Sequence, residues 1–277
     1  MLIVACIKQV PDTTQVKIDP VKGTLMREGI PSIINPFDAH ALEESLRLKD
    51  KYGFNVVAIS MGPPTAEVTL KKALSLGVDD AVLLSDRAFG GADTLATSLV
   101  LAEAIKRLAQ EEEVALVICG KQTIDGDTAQ VGPGISTRLG FNQLTSIDKI
   151  ESVDMVARKI RVRRKLGDHS EIVETSFPAM IAVLREINHL RYPTVPMRLI
   201  SEEAKVALWD NKVMQLHEDT VGLKGSATMV RKIFSPVRTM SEILGSSVST
   251  PEEIAGLLVE KLIEKNFICL YEKESES

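Results

Sequence analysis

The chain has 277 residues, of which 44% are hydrophobic and 26% charged, with a formal net charge of -5. That length supports one large domain or a domain with an appendage, and the composition is that of an ordinary globular protein. The negative balance excludes bulk nucleic-acid binding. The three scattered cysteines (Cys6, Cys119, Cys269) exclude a clustered zinc site and a disulfide framework, which fits a reducing cytoplasm.

Residues 2–7 (LIVACI) form the first apolar run and read as a strand. The run is too short for a signal peptide and reaches Lys8 without a cleavage site. No apolar run approaches the ~20 residues of a membrane span. Asn35-Pro36-Phe37 leads into a helical period over 38–49, with Ala41, Leu42, Ser45, Leu46 and Leu48 along one stripe and Gly53 beyond its end. Asp38 is read as a helix cap or as a ligand contact. His40 and Glu44, one turn apart, read as a surface pair. Residues 55–60 are the second strand, leaving through Ser60-Met61-Gly62-Pro63 into a helix over 64–76 that stops at Gly77. Residues 81–84 are the third strand, and Asp93-Thr94 starts a helix over 94–108.

The fourth strand, 114–119, runs into GKQTIDGDTAQVGPG at 120–134, and a helix follows at 135–139. A buried strand that stops in a glycine-bearing polar loop and then starts a helix is suited to phosphate. Loop amides without partners point at the ligand, and the helix N-terminus adds partial positive charge. Asp125 and Asp127 would repel phosphate if they faced it, so they order the loop, receive a sugar hydroxyl or cap the helix. Residues 145–153, 159–164 and 171–175 are short, alternating and charge-rich, an antiparallel excursion over about 145–176 with a hairpin turn at 165–168. Residues 177–184 return to a buried strand. Residues 185–199 read as a loop with Pro193 and Pro196, and the chain is mixed beyond 201, broken at Gly222, Gly225 and Pro236. Thr250 caps a helix over 250–265 with Pro251 at its first position and an apolar stripe of Ile254, Leu257, Leu258 and Leu262; residues 272–277 are a frayed tail.

Strands alternating with helices give an α/β class: a doubly wound, mostly parallel sheet with an antiparallel excursion and a C-terminal helical arm. In such a sheet ligands sit outside the carboxyl ends of the strands. There is no GxGxxG after the first strand and no GxxxxGK[ST] loop. No metal-ligand set and no catalytic constellation stands out, so a cofactor would carry any chemistry. Cys119 reads as a small buried hydrophobe.

Taken together, several segments resemble the beta subunit of electron transfer flavoprotein. They are Lys8-Gln-Val10, Asn35-Pro-Phe37 with Glu43-Glu44, Ser60-Met-Gly-Pro63, Ala73-Leu-Ser-Leu-Gly77, Gly120-Lys-Gln-Thr-Ile-Asp125, Leu184-Arg-Glu-Ile-Asn188 and Arg191-Tyr-Pro-Thr-Val-Pro196. They run in order over residues 1 to about 200. GKQxxD and LRxxNxxRYxTxP together are highly specific.

The resemblance implies a heterodimer with an alpha subunit that carries its own FAD, and an adenine nucleotide held by this chain within an α/β domain over 1–205. The nucleotide contacts it implies are Cys6, Asn35, Pro36, Phe37, Asp38, Ser60, Met61, Gly62, Thr94 and Cys119. The loop adds Gly120, Lys121, Gln122, Thr123, Ile124, Asp125, Gly126, Asp127, Thr128, Ala129, Gln130, Val131 and Gly132, with phosphate at the amides of Ala129, Gln130 and Val131. In one branch of the family the nucleotide is a structural AMP. In the electron-bifurcating branch it is a second FAD that accepts hydride from NADH and splits the electrons between a high-potential acceptor and ferredoxin or flavodoxin. Small Gly126 and Ala129 leave room for the larger cofactor, so FAD is expected. Arg191, Tyr192 and Val195 fall in the loop (185–199) that docks a dehydrogenase or quinone-reductase-type acceptor. Residues 206–277 are expected to pack on the alpha subunit. The rival outside this family is a nucleotide-binding sensor of universal-stress type.

Overall fold

In the computed structural model the described residues are 1–12, 17–18, 25–26, 31–230, 241, 244 and 250–268. Cys269, the break at Pro236 and the tail 272–277 lie outside them. Two compact units are distinguished, Met1–Lys232 and Ile233–Ser277.

The first unit is built on a nine-stranded sheet. β1 (Leu2–Cys6) is followed by the short strands β2 (Gln9–Pro11), β3 (Lys17–Ile18), β4 (Leu25–Met26) and β5 (Ser32–Ile34), which form two small antiparallel pairs outside the main sheet. Helix α1 (Pro36–Tyr52), β6 (Asn55–Met61), α2 (Glu67–Leu76), β7 (Asp80–Leu84) and α3 (Thr94–Leu108) come next. Then β8 (Val114–Gly120), α4 (Val131–Leu139), β9 (Asn142–Asp154), β10 (Lys159–Leu166), β11 (His169–Ser176) and β12 (Ala179–Val183) follow. The unit ends with α5 (Val195–Glu203), β13 (Ala207–Trp209) and the one-turn α6 (Asn211–Met214). The strand order is β11-β10-β9-β12-β8-β1-β6-β7-β13. From β9 to β13 neighbouring strands are parallel; β10 and β11 pair antiparallel.

The apolar runs of β1, β8 and β12 are buried at every residue because helices cover both faces. Alternation sorts the side chains. Ile3, Ala5, Ala58 and Ile118 face Leu42 and Leu46 of α1 and Leu70 of α2. Leu2, Val4, Val57 and Val117 face Val100 and Ile105 of α3 and Ile135 of α4. Each such Leu or Ile contributes roughly 1.5–3 kcal/mol. Gly53 (φ 75°) and Gly77 (φ 115°) end α1 and α2 in the left-handed region, as the sequence requires.

The antiparallel excursion joins the main sheet: β9 lies beside β12, and β10 and β11 extend the same sheet. Two segments differ from the sequence expectation. Residues 195–203 are helical, because Pro196 sits in the first turn, where its missing N–H costs nothing, and Thr194 accepts from Met197 N. The mixed segment after 201 supplies β13, which pairs with β7. In the second unit, α7 (Pro251–Glu264) has the expected Thr250 cap as a complete capping box with Glu253.

Candidate functional site

Sheet order fixes where a ligand crevice lies. The chain leaves β1 for β6 on one side and later returns to the other side with β8, so the β1 and β8 exits are the topological switch point. There Cys6 and Cys119 are register partners, both buried and both free thiols. Burial and the nearby charge of Asp38 push the Cys119 thiol up to about 12, and Cys6 is likewise raised well above its ordinary value. Neither is a nucleophile at neutral pH; they form an apolar floor.

The N-terminus of α1 closes one side of the crevice. Asn35 is fully buried; its Nδ2 donates to Gln122 O (2.9 Å) and its Oδ1 accepts from Ile124 N (3.2 Å), so one carboxamide fastens the loop after β8. Asp38 does not cap its helix as expected. The N-cap is Asn35, and the Asp38 carboxylate leaves α1 to accept from Lys8 N (2.9 Å) and Gly120 N (3.1 Å). Burial raises Asp38 to about 7, against the pull of hydrogen bonds from Asn35, Lys8 and Gly120. Lys8 then reaches over the loop to Asp125 (2.7 Å). Burial raises Asp125, but the hydrogen bonds from Lys8 and Thr123 and the Lys8 charge together outweigh it and leave the carboxyl below its ordinary value.

The loop is ordered from within. Gln122 Nε2 donates to Asp127 Oδ1 (2.8 Å) and Asp127 N to Thr123 O (2.9 Å). The two aspartates therefore order the loop, one of the roles expected of them. Asp127 (φ 51°) and Ala129 (φ 55°) adopt the left-handed conformation without being glycine, a strained turn that hands the chain to α4. The α4 N-cap, Gln130, makes no side-chain cap bond. Its side-chain oxygen instead accepts from Thr94 Oγ1 (2.9 Å). First-turn amides of α4 are thus left for another acceptor, which is the chemistry of an anion site.

The glycines divide by role. A Cβ on Gly120 would stand 2.5 Å from Phe37 Cβ, and one on Gly132 2.8 Å from Cys119 Sγ. Both are demanded by packing. Gly126 meets nothing nearer than 3.6 Å and does not have a left-handed φ, so neither packing nor backbone requires it. An open cavity of about 420 Å³ lies beside the start of the loop, lined by Phe37, Lys121, Leu184, Arg185 and Glu186, with the Arg185 guanidinium over the Phe37 ring at 5.4 Å.

Cys6, Asn35 to Asp38, Cys119 and the loop from Gly120 to Gly132 gather at the switch point, and Thr94 reaches it through Gln130. Met61 and Gly62 continue the adjacent β6 exit, where Gly62 N donates to Leu84 O. Ser60, one residue earlier, carries the one buried side-chain oxygen without a partner among the described residues. Arg191, Tyr192 and Val195 stand apart. Arg191 is pinned to α1 by Glu43 (2.9 Å), while Tyr192 and Val195 are 93% and 74% exposed.

Sequence reasoning missed the polar network along α1. His40 and Glu44 are not a surface pair; Glu44 is buried, and both are bonded to Asn188. It also missed Ser226 and Thr228, which bond Asp93 at the start of α3. Nothing local to those residues signals partners more than 130 positions away. The described residues hold no cluster of His, Cys, Asp and Glu fit for a metal, and no helix of theirs is long and apolar enough to cross a membrane.

The electron transfer flavoprotein domain family matches residues 22–211. The electron transfer flavoprotein subunit beta of Clostridium acetobutylicum is 47% identical over 269 residues, covering 97% of this chain and all of that protein. Protein FixA of Azotobacter vinelandii is 44% identical over 262 residues, 94% of this chain and 93% of the relative. CarD, a subunit of the caffeyl-CoA reductase-Etf complex of Acetobacterium woodii, is 44% identical over 270 residues, 97% of this chain and all of CarD.

Proposed function

The chain belongs to the electron transfer flavoprotein family, with beta subunits among its relatives, and from that premise we propose that it holds a second FAD at the β1/β8 switch point and works in electron bifurcation. The observation that carries the reading is the uncapped N-terminus of α4 beside Gly126. It offers main-chain amides to a diphosphate, in a loop where Gly126 is required neither by packing nor by backbone. The cavity beside Lys121 adds room next to the start of the loop.

The bound flavin would supply hydride acceptance from NADH and one-electron transfer. This chain's residues do the holding. Asn35 fixes the loop, Lys8 and Asp125 brace it, and the first turn of α4 meets phosphate oxygens. Cys6 and Cys119, kept neutral by burial, exclude water from the floor. Their free thiols support a cytoplasmic setting.

The partners we assign are an alpha subunit bearing its own FAD, a dehydrogenase or quinone-reductase-type acceptor, and ferredoxin or flavodoxin. CarD's place in a reductase-Etf complex supports an acceptor of that kind. Exposed Tyr192 and Val195 form the docking segment. The apolar stripe of α7 is assigned to the alpha subunit, while residues 207–209 of the expected arm 206–277 belong to the main sheet. The test is the flavin count of the co-expressed pair after denaturation. Two flavins per heterodimer are expected; one flavin with AMP would make this chain a scaffold around a structural nucleotide.

A further inference from the structure

We propose that Asp38 is a positioning residue of this crevice: it acts through the main-chain amides of Lys8 and Gly120, holds the β1 and β8 exits at one spacing, and touches no ligand atom. The assignment rests on the nucleotide reading above. The carboxylate is 4% exposed, and each of its oxygens serves a different strand exit, Oδ2 for Lys8 N at 2.9 Å and Oδ1 for Gly120 N at 3.1 Å. Those two residues lead into the parts that would meet the nucleotide. Lys8 reaches Asp125 in the loop, and Gly120 is the loop's first residue. The clamp is close enough to dictate its neighbour, because a Cβ at position 120 would lie 2.5 Å from Asp38 Oδ1.

A carboxylate is specifically needed. Two N–H donors approach two separate oxygens. An amide of the same shape offers one oxygen and presents an NH2 to the second donor, and a neutral acid loses one acceptor in the same way. The spacing of the exits therefore follows the charge on Asp38, which burial places at about 7. The other groups facing it are Cys6 and Cys119 from the strands, Lys8 and, beyond it, Asp125, and Asn35 at the start of its own helix; His40, two residues further along, is bonded to Asn188. The clamp is complete above neutral pH and half-made below it, so nucleotide is held more tightly at higher pH. Direct repulsion between Asp38 and phosphate would give the opposite sign.

The experiment uses the co-expressed complex, wild type and Asp38→Asn. Release of bound nucleotide is followed by flavin fluorescence and ultraviolet absorbance at about pH 6 and about pH 8.5. Wild type should release about tenfold more slowly at the higher pH, the loss of one charge-assisted bond. Asp38→Asn should release about tenfold faster than wild type at the higher pH, with a flat profile, and His40 is unchanged in that variant. Circular dichroism checks its fold; if it fails to fold, the sign of the wild-type profile decides. Equal release and equal profiles in the two proteins, or tighter holding at low pH, would overturn the assignment while leaving the nucleotide reading intact. A wild-type complex in which this chain holds no nucleotide overturns both.

Discussion

Asn188 and His40 contact each other twice: Asn188 Nδ2 donates to the His40 carbonyl at 3.0 Å, and its Oδ1 pairs with His40 Nδ1 at 2.8 Å. The same Nδ2 also donates to Glu44 Oε2 at 2.9 Å. Three residues on, Arg191 grips Glu43 through its backbone N–H and two guanidinium nitrogens. The segment after β12 is thereby fastened to the helix whose N-terminus fastens the loop after β8.

Replacing Asn188 tests that fastening. Glu44 is raised above its ordinary value by burial, partly offset by the Asn188 bond and by Arg47. Asn188→Leu leaves the buried carboxylate without its donor. A loss of about 1–3 kcal/mol is expected from urea unfolding, larger at pH 8 than at pH 5 because only the ionised form misses the bond. An equal loss at both pH values would refute this account.

Asp38 gives a second pH signature, in stability. Its folded value of about 7 lies above the ordinary 3.8. Folding therefore favours the protonated form, and the contribution is present below about pH 4 and lost as pH rises through about 7. Relative to Asp38→Asn, wild type should lose on the order of 3–4 kcal/mol across that window. Parallel stability curves for the two proteins would remove Asp38 as the source. The group that would hold the crevice together thus weakens the fold, the trade expected where stability gives way to a site.

The glycines separate packing from cofactor room. Gly132→Ala drives a Cβ to 2.8 Å from Cys119 Sγ and 3.2 Å from Met180 Sδ and should cost about 1–3 kcal/mol in thermal unfolding. Gly126→Val should leave the unfolding of the nucleotide-free chain within about 0.5 kcal/mol while lowering flavin content. If Gly126→Val keeps full flavin, the crevice lies elsewhere.

Asp93 joins distant segments. Its Oδ1 accepts from Leu95 N and Ala96 N at the start of α3, and its Oδ2 from Thr228 N and Oγ1. Asp93→Ala should cost about 1–2 kcal/mol and speed amide exchange at residues 226–230 as well as at 95–96. Exchange confined to α3 would show that the later segment is held by other contacts.

Much of the fold was legible because burial on both faces writes itself as continuous apolar runs, as in β1, β6 and β8. Residues fixed by pairing alone were not. β9 begins at Asn142 and Gln143, whose polar side chains hide a register with Ala179 and Met180. β13 is three residues long and takes its place from β7. Pro196 falls in a stretch, 185–199, that reads as a loop, although Thr194 just before it is the available signal for a helix start. At the site, the glycine-rich loop and the Asn-Pro-Phe-Asp motif were visible, and what they do to each other was not. Whether Asp38 bonds its own helix or the strands across from it depends on a contact spanning 82 positions.

The rims of the sheet bear on how the protein survives at high concentration. One is β13, too short to template a neighbour; the other is β11, where Glu171 and Glu174 stand on opposite faces, paired with Arg164 and Lys159 of β10. A second copy that tried to extend either rim would meet three residues of backbone or a strand with charged side chains on both faces. The chain is thereby guarded against rim-to-rim polymerisation, and neutralising both glutamates should turn a clear solution cloudy on warming before the fold itself melts.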